Sequence, residues 1–461
     1  MKIHFIGICG VAMSALAIAF KKEGWRVTGS DAGFFPPIST YLRKNKIDFY
    51  PGWHPEKIGR PDLIVVGNVA SSTNPEWRYA REQKLNYRSY PEVVKEFIIK
   101  KNSIVVAGTF SKSTNAALLS WILKETGFNP SYMFGGVSLN DLPAAEITDS
   151  AYSVVEGDEY KTSRWDARAK FIHYSPTYLL LTAAVWDHAD IYPTRESYEK
   201  AFRDLIELVP RAGIIVANSD EETVRQLLAG KTKKIITFGA SPEADYQYKN
   251  VKLTKNGTSF EIVDKATNQT ISVRAKMLGE YIAKNFTGCF ALSRALGIAP
   301  TTIVRTIESF RGVKRRLEKR FENGITVYDD ISHSPEKSRA VLSSLTKICA
   351  GDIYAVYEPN TGNRKPASFS GYDHCFAAAD TVIIPKLTKV KIDPNDPAKP
   401  VNGAKLAEII KKTHENVLYI DEDNELVGYL AKNAKENDCI VFLGSHGFRG
   451  MIEQLVTFLR Q

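Results

Sequence analysis

The chain reads as an α/β protein of three domains, each built on a mostly parallel sheet. Two features carry this reading. Short apolar strands alternate with helical segments along the chain, the pattern of a parallel sheet covered on both faces, and a strand passing through a tight turn into a helix starts afresh near residues 3, 103 and 325. The length of 461 residues, at about 150 residues per domain, agrees with roughly three domains.

The first unit, residues 1–98, opens with Ile3, Phe5 and Ile6 as a strand and Gly7 and Gly10 as a turn. A helix over 13–22 follows, ending near Gly24, and a second strand over 25–28 stops at Ser30-Asp31. This complete strand-turn-helix-strand unit is why the apolar stretch after Met1 and Lys2 is not read as a secretion signal. A strand at 63–66 and helices at 76–83 and 91–98 complete a Rossmann-like domain. The second unit, 99–312, restarts with a strand at 103–107, a turn over 108–114 and a helix over 115–125, a P-loop-type arrangement. Buried strands follow at 152–155, 178–182, 213–217 and 234–238. Between 245 and 273 a Thr- and Val-rich stretch, with turns at Asn256-Gly257 and Asn268, reads as a small antiparallel insertion at the sheet edge. Helices at 281–295 and 300–310 close the unit.

The third unit, 313–461, follows a short basic linker at 312–316 and is again Rossmann-like. Its strands are at 325–329, 353–357, 381–384, 417–420 and 440–443, with helices at 335–345 and 450–459. Three prolines in 393–400 mark a surface loop. Hydrophobic residues at 44% and charged residues at 25% are ordinary for a folded globular chain and exclude extended disorder. The five cysteines are odd in number and far apart, with no Cys-x-x-Cys pair, so neither a disulfide framework nor a structural zinc site is expected. A reducing, cytoplasmic compartment is expected. The net charge of +9 suits an anionic partner, but the basic residues are dispersed, which disfavours a nucleic-acid stripe. No apolar run approaches the roughly 18 residues of a membrane helix.

Four constellations offer chemistry, and all sit where a strand ends. Gly7-Ile8-Cys9-Gly10 followed by Ser30-Asp31 combines a glycine turn at a helix N-terminus, where free N–H groups favour an anion, with an acidic residue placed for a ribose hydroxyl. An NAD-dependent oxidoreductase would rest on this turn alone, and Cys9 occupies the middle glycine position of the dinucleotide fingerprint. In Gly108-Thr109-Phe110-Ser111-Lys112-Ser113-Thr114 a lysine and a hydroxyl open a helix, the arrangement that neutralises β- and γ-phosphates and holds Mg²⁺. Glu156-Gly157-Asp158-Glu159 and Asp187-His188-Ala189-Asp190 place acids and a histidine at strand ends, with oxygen donors suited to Mg²⁺. Asp330-Ile331-Ser332-His333-Ser334-Pro335 caps a helix or meets a ligand.

Taken in order, these motifs resemble the Mur ligases, the ATP-dependent amide-forming enzymes of peptidoglycan synthesis, over essentially the whole chain. Ile3-His4-Phe5-Ile6-Gly7-Ile8-Cys9-Gly10 and Phe35-Pro36-Pro37-Ile38-Ser39-Thr40 are most similar to the murein peptide ligase branch. That branch joins UDP-N-acetylmuramate to L-Ala-γ-D-Glu-meso-diaminopimelate in peptidoglycan recycling. The sibling branch that adds L-alanine, and a non-catalytic UDP-muramyl-binding relative, are the alternatives.

The resemblance implies ATP and Mg²⁺ as cofactors, UDP-N-acetylmuramate and a short murein peptide as partners, and no nucleic acid, membrane or protein partner. It implies a UDP-sugar domain at 1–98, an ATP domain at 99–312 and an amine-substrate domain at 313–461. By position, the 108–114 loop would cradle the phosphates, with Lys112 on β/γ and Ser113, Glu156 and His188 on the metal. Asn285 would read adenine, and Arg316, Asp330 and His333 would contact nucleotide phosphate and ribose. Gly7, Gly10, Ser30, Asp31, Asn68 and Ser71 would line the UDP-sugar site.

The chain departs from the family in places. Its phosphate loop has Phe110 and Ser111 where the family has His and Gly, and a left-handed serine at 111 would carry strain of about 1 kcal/mol. Tyr281-Ile282 replaces His-Asn, Ser334 replaces a second histidine, and Gly444-Ser445-His446-Gly447-Phe448 replaces a Ser-Asn-Gly-Gly-Phe-like loop. Asn360-Thr361-Gly362-Asn363 differs from the peptide-ligase pattern, leaving the amine donor open.

Overall fold

The computed structural model describes residues 1–34, 38–68, 70–187, 191–388 and 399–460. It holds three sheets. The first has five parallel strands, β1 (Lys2–Ile6), β2 (Arg26–Asp31), β3 (Asp48–Pro51), β4 (Leu63–Val66) and β5 (Tyr87–Ser89), in the order β3-β2-β1-β4-β5. Register pairs Ile3 with Val27 and with Leu63. The strand β1 is buried on both faces, as a central parallel strand must be: Ile3 and Phe5 pack with Leu16, Phe20 and Val65, and Ile6 with Ile64 and Trp77.

The second sheet has ten strands: β6 (Asn102–Ala107), β7 (Ser131–Met133), β8 (Ala145–Glu146), β9 (Tyr152–Gly157), β10 (Tyr178–Leu181), β11 (Ile214–Asn218), β12 (Lys234–Gly239), β13 (Tyr246–Thr254), β14 (Gly257–Asp264) and β15 (Gln269–Ala275). Their order is β15-β14-β13-β12-β11-β10-β6-β9-β7-β8. Strand β6 lies between two parallel partners, with Ala107 beside Gly157 of β9 and Leu181 of β10. The chain leaving β6 therefore turns over in the crevice between two neighbouring strand ends, where open α/β sheets bind ligands. The expected insertion is present as β13–β15. Only two residues join β13 to β14, a connection that antiparallel neighbours alone permit, and the hairpin extends the same sheet.

The third sheet has β16 (Glu318–Asn323), β17 (Ile325–Asp330), β18 (Ile353–Glu358), β19 (Thr381–Pro385), β20 (Val417–Ile420) and β21 (Cys439–Gly444), in the order β16-β17-β21-β18-β19-β20. Only β16 runs antiparallel. Along β21, Cys439, Val441 and Leu443 enter one core and Ile440 and Phe442 the other, the period of two that puts successive side chains on opposite faces. The chain divides into two compact units. One comprises 1–250, 260–274 and 283–313, and holds the first sheet and most of the second; the other comprises 251–259, 275–282 and 314–461. Among the described residues no helix is long and apolar enough to cross a membrane. Most of the proline-rich loop expected at 393–400 lies outside the described residues.

Candidate active site

Strand β6 ends at Ala107, and four residues carry the chain into the helix Lys112–Glu125. Gly108 has φ 141°, and a Cβ there would lie 2.1 Å from Thr182 Oγ1 and 2.8 Å from Ala183 N, so only glycine fits. Ser111, at the helix N-cap, is left-handed with φ 63° and ψ 9°, a conformation that favours glycine. Its hydroxyl is engaged: Asn285 Nδ2, from the helix Tyr281–Ala295, donates to Ser111 Oγ at 2.8 Å. Thr109 Oγ1 donates to Val185 O at 2.8 Å and lies 3.0 Å from Tyr198 Oη, while the Phe110 carbonyl accepts from Thr182 Oγ1 at 2.9 Å. These bonds pin the loop to the chain following β10. Thr114 is buried in the first helical turn.

The side chains after this turn meet the acidic end of β9. Lys112 Nζ donates to Gly108 O at 2.8 Å and sits 2.8 Å from Glu159 Oε2, with the Glu159 side chain 1% exposed. Burial pushes the Lys112 ammonium toward lower pKa, but the carboxylates of Glu159, Asp158 and Glu156 outweigh it and raise the value. Ser113 Oγ donates to Glu156 Oε1 at 2.9 Å, and Gly135 N donates to Glu156 Oε2 at 2.6 Å. A Cβ on Gly135 would stand 3.0 Å from that carboxylate oxygen and 3.7 Å from Ser113 Oγ, so the missing side chain leaves a small cradle beside two oxygen donors. A hydroxyl, a carboxylate and room for phosphate oxygens and water fit Mg²⁺, which takes few protein ligands. His188, the third expected metal ligand, lies outside the described residues.

A cavity of about 250 Å³ connects this acidic strand end to the glycine turn after β1. Gly7, Gly10 and Asn68 line one side, and Glu156, Asp158 and Lys170 line the other. Asn68 Nδ2 also donates to Lys161 O at 2.8 Å. The other expected sugar-site residues stand away from the cavity wall. Ser30 is fully buried and its hydroxyl donates inward to Glu76, which also accepts from Tyr50 Oη and His54 N. Asp31 accepts the N–H groups of Cys9 and Ala32 at 2.8 and 2.7 Å, so its carboxylate closes the turn; burial raises its pKa against those bonds. Ser71 is exposed, 2.9 Å from Thr73 Oγ1.

Arg316, Asp330 and His333 belong to the second compact unit. The Asp330 carboxylate accepts Leu317 N at 2.6 Å and Ser332 N at 2.8 Å, which ties the linker to the end of β17. His333 Nδ1 lies 2.9 Å from Ile331 O. Arg316 is half-buried, and it is Arg315 that donates to the carbonyls of Gly444, Ser445 and His446. Sequence reasoning missed Lys170. The signal is weak, because it is the backbone pairing of 158–162 with 168–171 that folds the chain back and brings this lysine to Asp158, 2.5 Å away.

Matches to known proteins cover the chain in sequence order. Residues 2–102 match the Mur ligase family catalytic domain, 106–293 the Mur ligase middle domain and 315–446 the Mur ligase glutamate ligase domain. The UDP-N-acetylmuramate–L-alanyl-γ-D-glutamyl-meso-2,6-diaminoheptandioate ligase of Escherichia coli K12 is 31% identical over 467 residues, spanning 100% of this chain and 98% of the relative. The chain belongs to the Mur ligase family. A UDP-N-acetylmuramate–L-alanine ligase of Rhizobium johnstonii is 30% identical, over 96% of this chain and 93% of the relative. The crystal structure of the UDP-N-acetylmuramate-alanine ligase from Thermotoga maritima shares the fold, with a TM-score of 0.82 at 23% identity and coverage of 100% and 99%. As a Mur ligase the protein is an ATP-dependent enzyme that forms an amide C–N bond, and the three-domain α/β architecture is that of the family.

Proposed function

We propose that this Mur ligase joins the lactoyl carboxylate of UDP-N-acetylmuramate to the amine of L-Ala-γ-D-Glu-meso-diaminopimelate, using ATP and Mg²⁺, in cytoplasmic peptidoglycan recycling. The observation that carries the proposal is the cavity running from the Gly7–Gly10 turn to Glu156, with the Ser113 hydroxyl on that carboxylate. Such a cavity suits an elongated anionic substrate with its phosphates toward the glycine turn and its acid toward Glu156. Residues 1–98 would hold the sugar nucleotide, 99–312 ATP and 313–461 the peptide. The Escherichia coli relative, similar along its whole length, supports the peptide as amine donor.

A carboxylate lacks a leaving group, so its oxygen first attacks the γ-phosphorus of ATP and ADP departs, leaving an acyl phosphate. The neutral amine then attacks the carbonyl, phosphate leaves with its bridging oxygen, and the amine nitrogen loses a proton to solvent. In this scheme Lys112 steadies the charge spread over the transferring phosphoryl group. Ser113 and Glu156 would hold Mg²⁺, which neutralises phosphate oxygens. Ser111 supports turnover rather than mere binding, because it takes the left-handed conformation without glycine and leaves Lys112 and Ser113 at the helix start.

The relative from Rhizobium johnstonii supports a second reading, with L-alanine as the amine donor. A substrate panel decides between them: ADP release is measured with Mg-ATP and UDP-N-acetylmuramate plus the tripeptide, L-alanine or neither. Tripeptide-dependent release supports the proposal. Release with L-alanine alone selects the second reading, and tight sugar-nucleotide binding without ADP release selects a binding protein.

A further inference from the structure

The cavity wall carries a cation that the scheme above leaves unused. Among the described residues lining it, Lys170 is the one basic side chain; it pairs with Asp158 and shares the cavity lining with Glu156. Its place is fixed by backbone. Lys170 N donates to Tyr160 O at 2.9 Å and Phe171 N to Asp158 O at 3.3 Å, and Phe171 is fully buried just beyond. The ammonium lies 2.5 Å from Asp158 Oδ2 and 5.7 Å from the centre of the Tyr160 ring, with the side chain 16% exposed.

An acid entering this cavity would otherwise meet only like charge on this wall. Glu156 and Asp158 repel a carboxylate, and the attraction of Mg²⁺ is shared with the phosphates. An ammonium has three donors, and Asp158 occupies one of them. Lys170 therefore has donor capacity left on the wall of the cavity that the glycine turn and Glu156 also line. We propose that Lys170 binds the carboxylate of the sugar-acid substrate and positions its oxygen for attack on the γ-phosphorus. This rests on the ligase reading given above. The competing role is structural, with Lys170 and Asp158 merely closing the 158–171 hairpin.

Binding to the full chain without ATP, measured by calorimetry, separates the possibilities. The two probes are UDP-N-acetylmuramate and UDP-N-acetylglucosamine, which lacks the lactoyl carboxylate. The wild type should prefer the muramate by about tenfold or more, the range of one charge-assisted hydrogen bond. Lys170→Met should hold UDP-N-acetylglucosamine as the wild type does and keep a preference of less than about threefold. Lys170→Arg, which retains the charge and the pairing with Asp158, should keep most of the preference. Asp158→Asn, which disrupts the same hairpin but leaves the cation, should not reduce it. The proposal is overturned if Lys170→Met keeps the full preference. It is equally overturned if Lys170→Met and Asp158→Asn weaken both ligands alike, or if Lys170→Met is unfolded and Lys170→Arg loses the preference while binding UDP-N-acetylglucosamine normally. A wild type that binds neither sugar nucleotide refutes the ligase reading itself, and with it this assignment.

Discussion

Replacing Lys112 by methionine removes two roles at once, and the structure allows them to be separated. The Lys112 side chain is 13% exposed and that of its partner Glu159 1%, with 2.8 Å between ammonium and carboxylate. Removing one member of a buried pair leaves the other charge without its counterion, which costs about 3–5 kcal/mol. Lys112→Met should therefore unfold at markedly lower urea concentration than the wild type. Adding Glu159→Gln removes the stranded charge, and the double variant should recover most of that loss. Catalysis should not follow. If the ammonium stabilises the phosphoryl group in flight, both variants should release ADP about 10²–10³-fold more slowly than the wild type. The pair of assays is urea unfolding and ADP release on the same preparations. A stable but inactive double variant is the expected result. Recovered activity in the double variant would refute the phosphate role, and unchanged stability in the single variant would refute the buried pair.

Three further outcomes follow from the geometry. Ser113→Ala and Glu156→Gln each remove one oxygen donor from the Gly135 cradle, so each should raise the Mg²⁺ concentration for half-maximal ADP release by about tenfold or more, measured by magnesium titration. Ser111→Ala keeps the left-handed strain and loses the bond to Asn285, costing about 1 kcal/mol in urea unfolding, whereas Ser111→Gly also relieves the strain and should stay within about 1 kcal/mol of the wild type. Burial raises the Asp158 carboxyl, but Lys170 and Lys112 outweigh it and hold its pKa below the ordinary 3.8. A carboxyl lowered on folding stabilises the fold above its unfolded pKa and loses that contribution as pH falls through its folded value. The stability advantage of wild type over Asp158→Asn should thus be constant above about pH 5 and shrink below about pH 4, as read by unfolding at a series of pH values.

The restarts of strand, turn and helix were legible because each rests on local residues: an apolar run, a glycine or Lys-Ser pair, and an apolar helix. The same signals pointed to Lys112, Ser113 and Glu156, which the fold brings together, since residues at the ends of neighbouring parallel strands converge. The departure at position 111 left open a strained serine or a reshaped loop, and the serine is left-handed at φ 63°. The helix Arg195–Leu208 has a legible signal as well, since Tyr198, Phe202, Leu205 and Ile206 mark a helical face that is buried in the structure. Other features needed contacts distant in sequence. Ser30 turns inward because the buried Glu76 carboxylate, which also accepts from Tyr50 Oη and His54 N, lies behind β2, which no spacing announces. Lys170 reaches the cavity only through the hairpin that pairs Lys161 with Ala169. The contacts fall to Arg315, at φ 59°, rather than to its neighbour Arg316, and they reach carbonyls more than a hundred residues away in sequence.

The account turns on conversion of an acid into an acyl phosphate before the amine attacks. Supplying UDP-N-acetylmuramate labelled with ¹⁸O in the lactoyl carboxylate, with Mg-ATP and the tripeptide, and reading the released phosphate by ³¹P NMR follows that oxygen directly. Each inorganic phosphate should carry one oxygen from the labelled carboxylate. Phosphate released without label would mean that the carboxylate never reached the γ-phosphorus.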